Sequence, residues 1–436
     1  MTTTVPTAAE AAARRERSGR APVPAAGPAA EYERLHARFA PLFAQIAEGA
    51  LARDQGRVLP HEPVRRLDEE GFGALRVPAE HGGGGVSVET VIRLLVDLAA
   101  ADSNVAHLYR SHLGFTESLR WQPDAVRERW YGRIAAGQTV GNASTERGGN
   151  ALGTVNTTLS RGQDGSWRLN GTKYYTTGTI FSDHTRVSAA IDGAPGRRFA
   201  VVPVTAEGVT VEDDWDGFGQ KLTGTGTTTF AGVVVDEIDV LDRVVGSAEA
   251  VHEAAFFQLV LLAVLAGIAR AARDDAATIV AGRARTFNTG SGLPFREDPL
   301  IQQVVGRIAA NAFAAEATVL AAARSLDRSL VDAPAATVAG GAPEPATRAQ
   351  LQAEVDVEQA QVTVPELALA AAQQLFDASG ASATSTRKGL DRHWRNAQTV
   401  ATHNPAVFRA RAIGDWFVNG TPPEGLNAIG DARPSS

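Results

Sequence analysis

Two histidines are the residues in this sequence most able to move a proton. His112 lies in a helical pattern with Leu108 and Phe115 on its face, and His403 precedes Asn404 at the junction of two helical patterns. Because the histidine pKa is about 6.5, either ring could donate or accept a proton at neutral pH. The ordinary alternatives are a hydrogen-bonded core residue for His112 and a helix-capping residue for His403.

Two β-rich segments carry polar groups that could hold a flat ligand. Residues 141–146 place Asn142 among small polar residues, and residues 173–178 present hydroxyls, including that of Thr177, on alternate faces of a strand. These side chains and the free backbone N–H groups could hydrogen-bond the polar edge of a ring system. The alternative is an ordinary turn at each position.

The sequence offers little that could bind a metal ion or a nucleotide. None of its nine histidines has the His-x-x-x-His spacing that places two ligands on one helical face. It has no cysteine, which excludes disulfides, cysteine zinc sites, iron–sulfur clusters and a thiol nucleophile. The glycine run at 82–85 lacks the Lys-Ser/Thr pair of a phosphate loop, and no Gly-x-Gly-x-x-Gly follows a strand. We expect no metal site.

The charge of the chain argues against nucleic acid and membranes as partners. Its 436 residues carry a formal charge of −7, and the pI is about 5.8. The longest uncharged apolar run, 254–269, is shorter than the roughly 20 residues that a membrane span needs. We therefore expect this run to be a buried helix and the protein to be cytoplasmic.

The spacing of apolar residues predicts an α+β protein with three folded parts. Residues 31–139 have helical periodicity, and residues 140–248 consist of short β-rich runs typical of an antiparallel barrel or sandwich. Residues 249–420 form long, alanine-rich helical patterns that indicate a four-helix bundle. The other segments are expected to be a disordered leader (1–30), a loop within the bundle (331–350) and an irregular tail (421–436).

Short motifs recur along the chain in an order that fits these three parts. They are VPAEHGG (77–83), LAAAD (98–102), LNGTKYY (169–175), WDGFGQ (215–220), SGAS (379–382) and DRHWRNA (391–397). Together they resemble the acyl-CoA dehydrogenase superfamily over residues 33–420. The last motif resembles most closely the reduced-flavin-dependent monooxygenase branch, which is typified by dibenzothiophene monooxygenase.

The chain departs from the dehydrogenases of this family at their catalytic base. Those enzymes use a glutamate that falls either near residues 400–402 or on the first helix of the bundle. Residues 400–402 include no acid, and neither do residues 254–273. Since a missing base costs orders of magnitude in rate, the resemblance implies that the fold is kept and the dehydrogenase reaction lost.

The resemblance implies a two-component enzyme that uses O2 and reduced FMN rather than FAD. A C4a-(hydro)peroxyflavin would oxygenate a small organic substrate at sulfur, and histidine suits the donor that this chemistry needs. The implied catalytic residues are His112, His403, Thr177 and Asn142. The implied cofactor contacts are Asn142, Thr177, Trp215, His403 and, at the phosphate, Arg285 and Ser382.

Other activities and the partners also follow from the resemblance. The alternatives are an N-hydroxylase of an amine or amino sugar, an aromatic hydroxylase, a residual acyl-CoA dehydrogenase and a non-catalytic scaffold. Because no nucleotide-binding motif is present, a separate NAD(P)H:flavin reductase would supply the reduced FMN. A homotetramer is expected from the family.

Overall fold

The structure, a computed structural model, describes residues 27–147, 155–191, 197–284, 286, 289–331 and 344–422. Helices precede and follow one β-sheet, which is the order that the sequence predicts. Most of the expected leader and tail, residues 332–343 of the expected loop, and Arg285 lie outside the described residues. The first helix already begins at Pro28, inside the expected leader.

Side-chain caps begin two of the five main N-terminal helices. Ser87 Oγ accepts a hydrogen bond from the backbone N–H of Thr90, and Asp102 accepts one from Asn104. These caps fix where the third and fourth helices begin. The helices are α1 (Pro28–Gly56), α2 (His61–Glu69), α3 (Val88–Ala101), α4 (Ser103–Ser118) and α5 (Asp124–Ala135).

The described strands form one mixed sheet in the order β6-β7-β3-β2-β4-β5-β8, with β1 paired to β4. Most pairs are antiparallel, as the sequence predicts, but β1 and β2 each run parallel to β4. Parallel neighbours need crossover connections, which turn signals alone do not distinguish from hairpins. The strands are β1 (Val140–Ala143), β2 (Thr158–Arg161), β3 (Trp167–Tyr174), β4 (His184–Ile191), β5 (Arg197–Pro203), β6 (Val209–Val211), β7 (Thr227–Val235) and β8 (Val240–Leu241).

Long helices follow the sheet and form the C-terminal bundle. They are α6 (Ala248–Gly282), α7 (Pro299–Val331), α8 (Arg348–Ser379), α9 (Asp391–Ala401) and α10 (Ala406–Asn419). Helices α6 and α7 are long and apolar enough to cross a membrane, but 83% of the most apolar window of α6 is buried inside the protein. The largest apolar core joins α6 to α3 and α4, so the first and last parts share one interior.

The loop between β6 and β7 joins all three parts. The Gln220 backbone N–H donates to Asn396 Oδ1 on α9 at 2.7 Å, and the Leu222 backbone N–H donates to Asn104 Oδ1 on α4 at 3.2 Å. The loop is thus held between a helix of the N-terminal part and a helix of the bundle. This arrangement brings α4, the sheet and the bundle to one cleft.

Candidate active site

A stripe of polar and small residues follows one face of α4. It consists of His107, Arg110, Ser111 and Gly114, which recur at the helical spacing of three and four residues. Every residue of α4 except Arg110 is buried. Since a helix buried on all sides is normally apolar, a polar stripe on it indicates a site rather than packing.

His107 presents an acceptor nitrogen. Its Nδ1 lies 3.2 Å from Gln220 Oε1, while Gln220 Nε2 donates to Ser103 Oγ at 3.3 Å. With the amide in this orientation, His107 donates its proton from Nδ1 to Gln220. The lone pair of the neutral ring is then on Nε2.

His403 has the opposite tautomer. Its Nδ1 lies 2.8 Å from Asn404 Nδ2, which also donates to Gln258 Oε1 at 3.0 Å. Gln258 Oε1 accepts a second bond from Gln361 Nε2 at 3.0 Å. With the three amides in this orientation, His403 accepts at Nδ1 and carries its proton on Nε2.

Both rings are neutral at neutral pH. Burial, followed by the charge of Arg110, lowers the pKa of His107 to about 4. His403 is exposed in the single chain and lines a small cavity with Gln258 and Gln361. Desolvation there, with the nearby charge of Arg110 and of a protonated His107, holds the pKa of His403 well below its usual value. The cleft thus combines an N–H donor with an imidazole acceptor.

The geometry of His112 argues against the catalytic role that the sequence predicts for it. Its Nε2 donates to the Gly73 carbonyl at 2.9 Å, and its Nδ1 accepts from the Val140 N–H at 3.2 Å. Both nitrogens are therefore already bonded to the backbone, and burial lowers its pKa to about 4. Five residues along a helix turn through about 500°, so His112 and His107 face different directions.

Thr177 lies beside this stripe in the turn that follows β3, and Asn142 lies on β1. The Thr177 carbonyl accepts from Ser111 Oγ at 3.4 Å, and its hydroxyl pairs with that of Thr225 at 2.7 Å. Asn142, on β1, accepts from Ser144 Oγ at Oδ1, which leaves its Nδ2 hydrogens available. The structure therefore brings Thr177 to the α4 stripe, with an amide donor on the neighbouring strand.

Trp215 lies in the loop between β6 and β7 and adds an aromatic ring to the site. Its Nε1 donates to the Gly219 carbonyl at 3.0 Å, and its ring lies 5.8 Å from the ring of Tyr175, which is half exposed. A partly exposed indole beside a half-exposed tyrosine ring suits contact with a flat heteroaromatic ring, and the amide of Asn142 and the hydroxyl of Thr177 suit its polar edge. The residues present therefore fit the isoalloxazine of the expected flavin.

Ser382 lies at the other end of the bundle. It sits on an exposed turn after α8, beside Arg283, which donates to the Ser379 carbonyl. Gln361, next to the His403 cluster, is separated from Ser379 by about 27 Å of α8 at 1.5 Å per residue. One chain therefore does not bring Ser382 together with His403, and Arg285 is outside the described residues.

No described acid replaces the missing dehydrogenase base. The nearest one before residues 254–273 is Glu253, which is fully buried and paired with Arg186 and Arg243. Those cations hold the pKa of Glu253 below its usual range against the effect of burial. A carboxylate locked between two arginines is a structural group rather than a base poised for proton removal.

His107 and Arg110 are the residues that sequence reasoning missed. The helical pattern drew attention to His112 because Leu108 and Phe115 share its face. An apolar face, however, is where a core histidine belongs. The stripe of His107, Arg110, Ser111 and Gly114 on the opposite side was the available signal.

Comparison with known proteins places this architecture in a family. Three domain models match in order: the acyl-CoA dehydrogenase N-terminal domain over residues 35–138, the middle domain over 141–233 and the C-terminal domain over 259–407. The matched regions correspond to the helical part, the sheet and the bundle.

Individual relatives narrow the comparison to oxygen-using flavoproteins. A dibenzothiophene monooxygenase of Rhodococcus erythropolis is 30% identical over 363 residues, which is 80% of this chain and 85% of that protein. The probable FMNH2-dependent monooxygenase SfnC of Pseudomonas putida is 27% identical over 88% of this chain and 94% of its own length. The FMN-bound crystal structure of TdsC from Paenibacillus sp. A11-2 superposes with a TM-score of 0.81 and 27% identity, covering 88% of this chain and 97% of that one.

Proposed function

The chain belongs to the acyl-CoA dehydrogenase family and is an FMNH2-dependent monooxygenase of its oxygen-using branch, and on this premise we propose that it oxygenates a small organosulfur compound at sulfur. The observation that carries the proposal is the pair of neutral histidines with opposite tautomers, in a site where no carboxylate among the described residues is available as a base. The sulfur preference is supported by the relatives, among which dibenzothiophene monooxygenase is named for a sulfur heterocycle.

Each polar group of the cleft has a distinct part in this proposal. When bound, reduced FMN supplies two electrons and two protons to O2, so that one oxygen atom joins the substrate and the other leaves as water. His403 Nε2–H would donate a hydrogen bond to the oxygen that is transferred, and His107 Nε2 would accept the proton of that oxygen and return it to the oxygen that leaves as water. Thr177, Asn142 and Trp215 would hold the flavin ring.

A small cavity lies beside His403. Its apolar lining comes from Leu261, Leu262 and Leu265 on α6, and Gln258 and Gln361 line it as well. Its volume of about 10 Å³ is room for about one water molecule, so the substrate itself binds outside it. The apolar residues around it would shield the reacting oxygen from bulk water, which limits the loss of that oxygen as free peroxide.

The position of Ser382 supports a shared flavin site. Since Ser382 lies about 27 Å of helix away from the His403 cluster, we propose that Ser382 and Arg285 of a second copy bind the phosphate. The exposed apolar residues of α7 and α10, such as Phe313 and Phe417, offer surface for this contact.

The proposed assembly is the family's homotetramer, and its proposed location is the cytoplasm. A separate NAD(P)H:flavin reductase would supply the reduced FMN.

Oxygen consumption with labelled dioxygen tests the proposed function. The purified protein is supplied with reduced FMN and either dibenzothiophene or a short alkyl aryl sulfide. The expected product contains one labelled oxygen at sulfur, whereas labelled oxygen at nitrogen or carbon of amine and aromatic substrates would instead support the alternative hydroxylases. Release of unincorporated peroxide with every sulfur compound would overturn the proposal.

A further inference from the structure

Arg110 is a cation inside the candidate active site that has no carboxylate partner among the described residues. Its Nε donates to the backbone carbonyl of Phe257 at 3.0 Å, and its guanidinium lies over the Phe257 ring at 4.7 Å. No described acid lies within ion-pair distance, and its terminal nitrogens have no hydrogen-bond partner in the described part of the chain. Four of the five donor hydrogens of the guanidinium are therefore uncommitted.

The neighbours of Arg110 place it beside the reacting groups. It follows His107 by three residues on α4, so the two side chains lie on one face. Phe257, which holds Arg110, precedes Gln258, whose side chain accepts from Asn404 next to His403. The charge of Arg110 reaches both rings, since it lowers the pKa of His107 and of His403.

Arg110 stays charged although no carboxylate among the described residues forms an ion pair with it. Burial lowers the pKa of Arg110 only to about 10, so the group is charged at neutral pH. Elsewhere in the same interior, arginines are paired: Arg186 with Glu253, Arg76 with Glu117 and Arg53 with Asp102. The terminal nitrogens of Arg110 are not among the buried polar atoms without a partner, and the charge of Glu253 opposes the effect of burial, so the guanidinium stays charged and open to a ligand.

We propose that Arg110 binds an anionic group of the substrate, so that the enzyme prefers organosulfur acids over neutral sulfides. The inference rests on the proposed function and adds the substrate class. The guanidinium would take a sulfinate, sulfonate or carboxylate bidentately, with the sulfur to be oxygenated held near His403. The anion is either the reacting sulfinate itself or a separate acidic group on a sulfide, and the two sources share this chemistry.

The phosphate of the cofactor is the competing anion, and the geometry disfavours it. Arg110 lies among the groups that face the reacting end of the site, with His107 and Ser111 on its own helix face. The phosphate is expected at Ser382, at the far end of α8. An anion at Arg110 therefore belongs to the substrate side.

Binding of matched ligands to the wild-type protein is the first test, and it needs no turnover. Benzenesulfinate and benzenesulfonate are compared with their neutral counterpart methyl phenyl sulfone by calorimetry in the presence of oxidised FMN. We expect the anions to bind at least tenfold more tightly and this advantage to shrink at high salt. Equal affinity for the charged and neutral ligands would overturn the proposal, whether or not any sulfur compound is oxygenated.

Substitution of the arginine assigns the effect to its charge. Arg110→Gln should erase the preference for anions, and Arg110→Lys should retain part of it because the charge remains without the bidentate fork. The matched control is Arg93→Gln, which removes a cation held over the Tyr32 ring at 4.6 Å outside the cleft and should leave ligand binding unchanged. If Arg110→Gln weakens FMN binding while the anion preference persists, Arg110 belongs to the cofactor site and the inference is wrong.

Turnover distinguishes the two sources of the anion. A sulfinate that is converted to a sulfonate identifies the reacting group as the one bound by Arg110. A carboxylated aryl sulfide that is converted to its sulfoxide, at a lower KM than the uncharged sulfide, identifies a separate acidic group. Either result supports the inference, whereas equal KM values for charged and uncharged substrates contradict it.

Discussion

His403 Nδ1 lies 2.8 Å from the side-chain nitrogen of Asn404, so the residue that follows this histidine determines which of its nitrogens carries the proton. Replacing Asn404 with Leu removes that constraint. Because general acid–base groups contribute about 10²–10⁴-fold, we expect oxygenation to fall at least tenfold while flavin oxidation continues. The ratio of product to peroxide measures this uncoupling.

Asn404→Asp should instead make the coupling depend on pH. A carboxylate beside Nδ1 raises the pKa of His403 from its present low value, because it stabilises the imidazolium. Below the new pKa both nitrogens carry protons, so the Nε2–H donor is present; above it the proton stays on Nδ1 and the donor is lost. We expect product yield to fall with rising pH in this variant only, with the exposed Asn419→Asp as control.

His107 and His112 should respond differently to alanine. His107→Ala should reduce oxygenation by about 10²–10⁴-fold, and it should lower stability less than His112→Ala because it removes the partner of one buried group, Gln220 Oε1, rather than of two. His112→Ala leaves the Gly73 carbonyl and the Val140 N–H without their hydrogen-bond partner. This should destabilise the protein by about 1–3 kcal/mol while activity per folded molecule persists. Urea denaturation and oxygen uptake together separate the two effects. The reverse pattern would restore His112 as the catalytic residue.

Glu249 should weaken the native state as pH rises. Burial and the neighbouring Glu253 raise its pKa to about 8, against the opposing charges of Arg186 and Arg243. The native state therefore keeps a proton that the unfolded chain releases near pH 4.5, so stability is highest below that pH and declines until about pH 8. Glu249→Gln, which can keep the bond from Gln122, should flatten the decline by about 1–3 kcal/mol in urea denaturation from pH 5 to 8.5. Parallel curves for the two proteins would contradict this assignment.

Complementation tests whether two chains build one flavin site. His403→Ala and Ser382→Asp should each be inactive alone. If Ser382 serves a neighbouring copy, co-expression creates some sites with both residues intact, and activity and FMN binding should return in part. Co-expression without recovery would place both residues in the site of one chain.

The sequence predicted the fold more reliably than the site. Helix caps at Ser87 and Asp102 and the apolar run of α6 are local signals, so they could be read without coordinates. The parallel pairing of β1 with β4 depends on contacts distant in sequence and could not. His403 was assigned through the family resemblance, whereas His107 was missed because its hydrogen bond comes from Gln220, over one hundred residues away.

Helix α6 contacts both the His403 cluster and the region of Ser382. Its early residues Phe257 and Gln258 hold Arg110 and the His403 cluster, while its last turn leads to Arg283 beside Ser382. In the proposed assembly, this one helix therefore contributes to the reacting end of the flavin site in one protomer and to the phosphate-binding end of the flavin site in another. A dissociated protomer would contain parts of two flavin sites but no complete flavin site. Specific activity should therefore fall on dilution before any unfolding is detected.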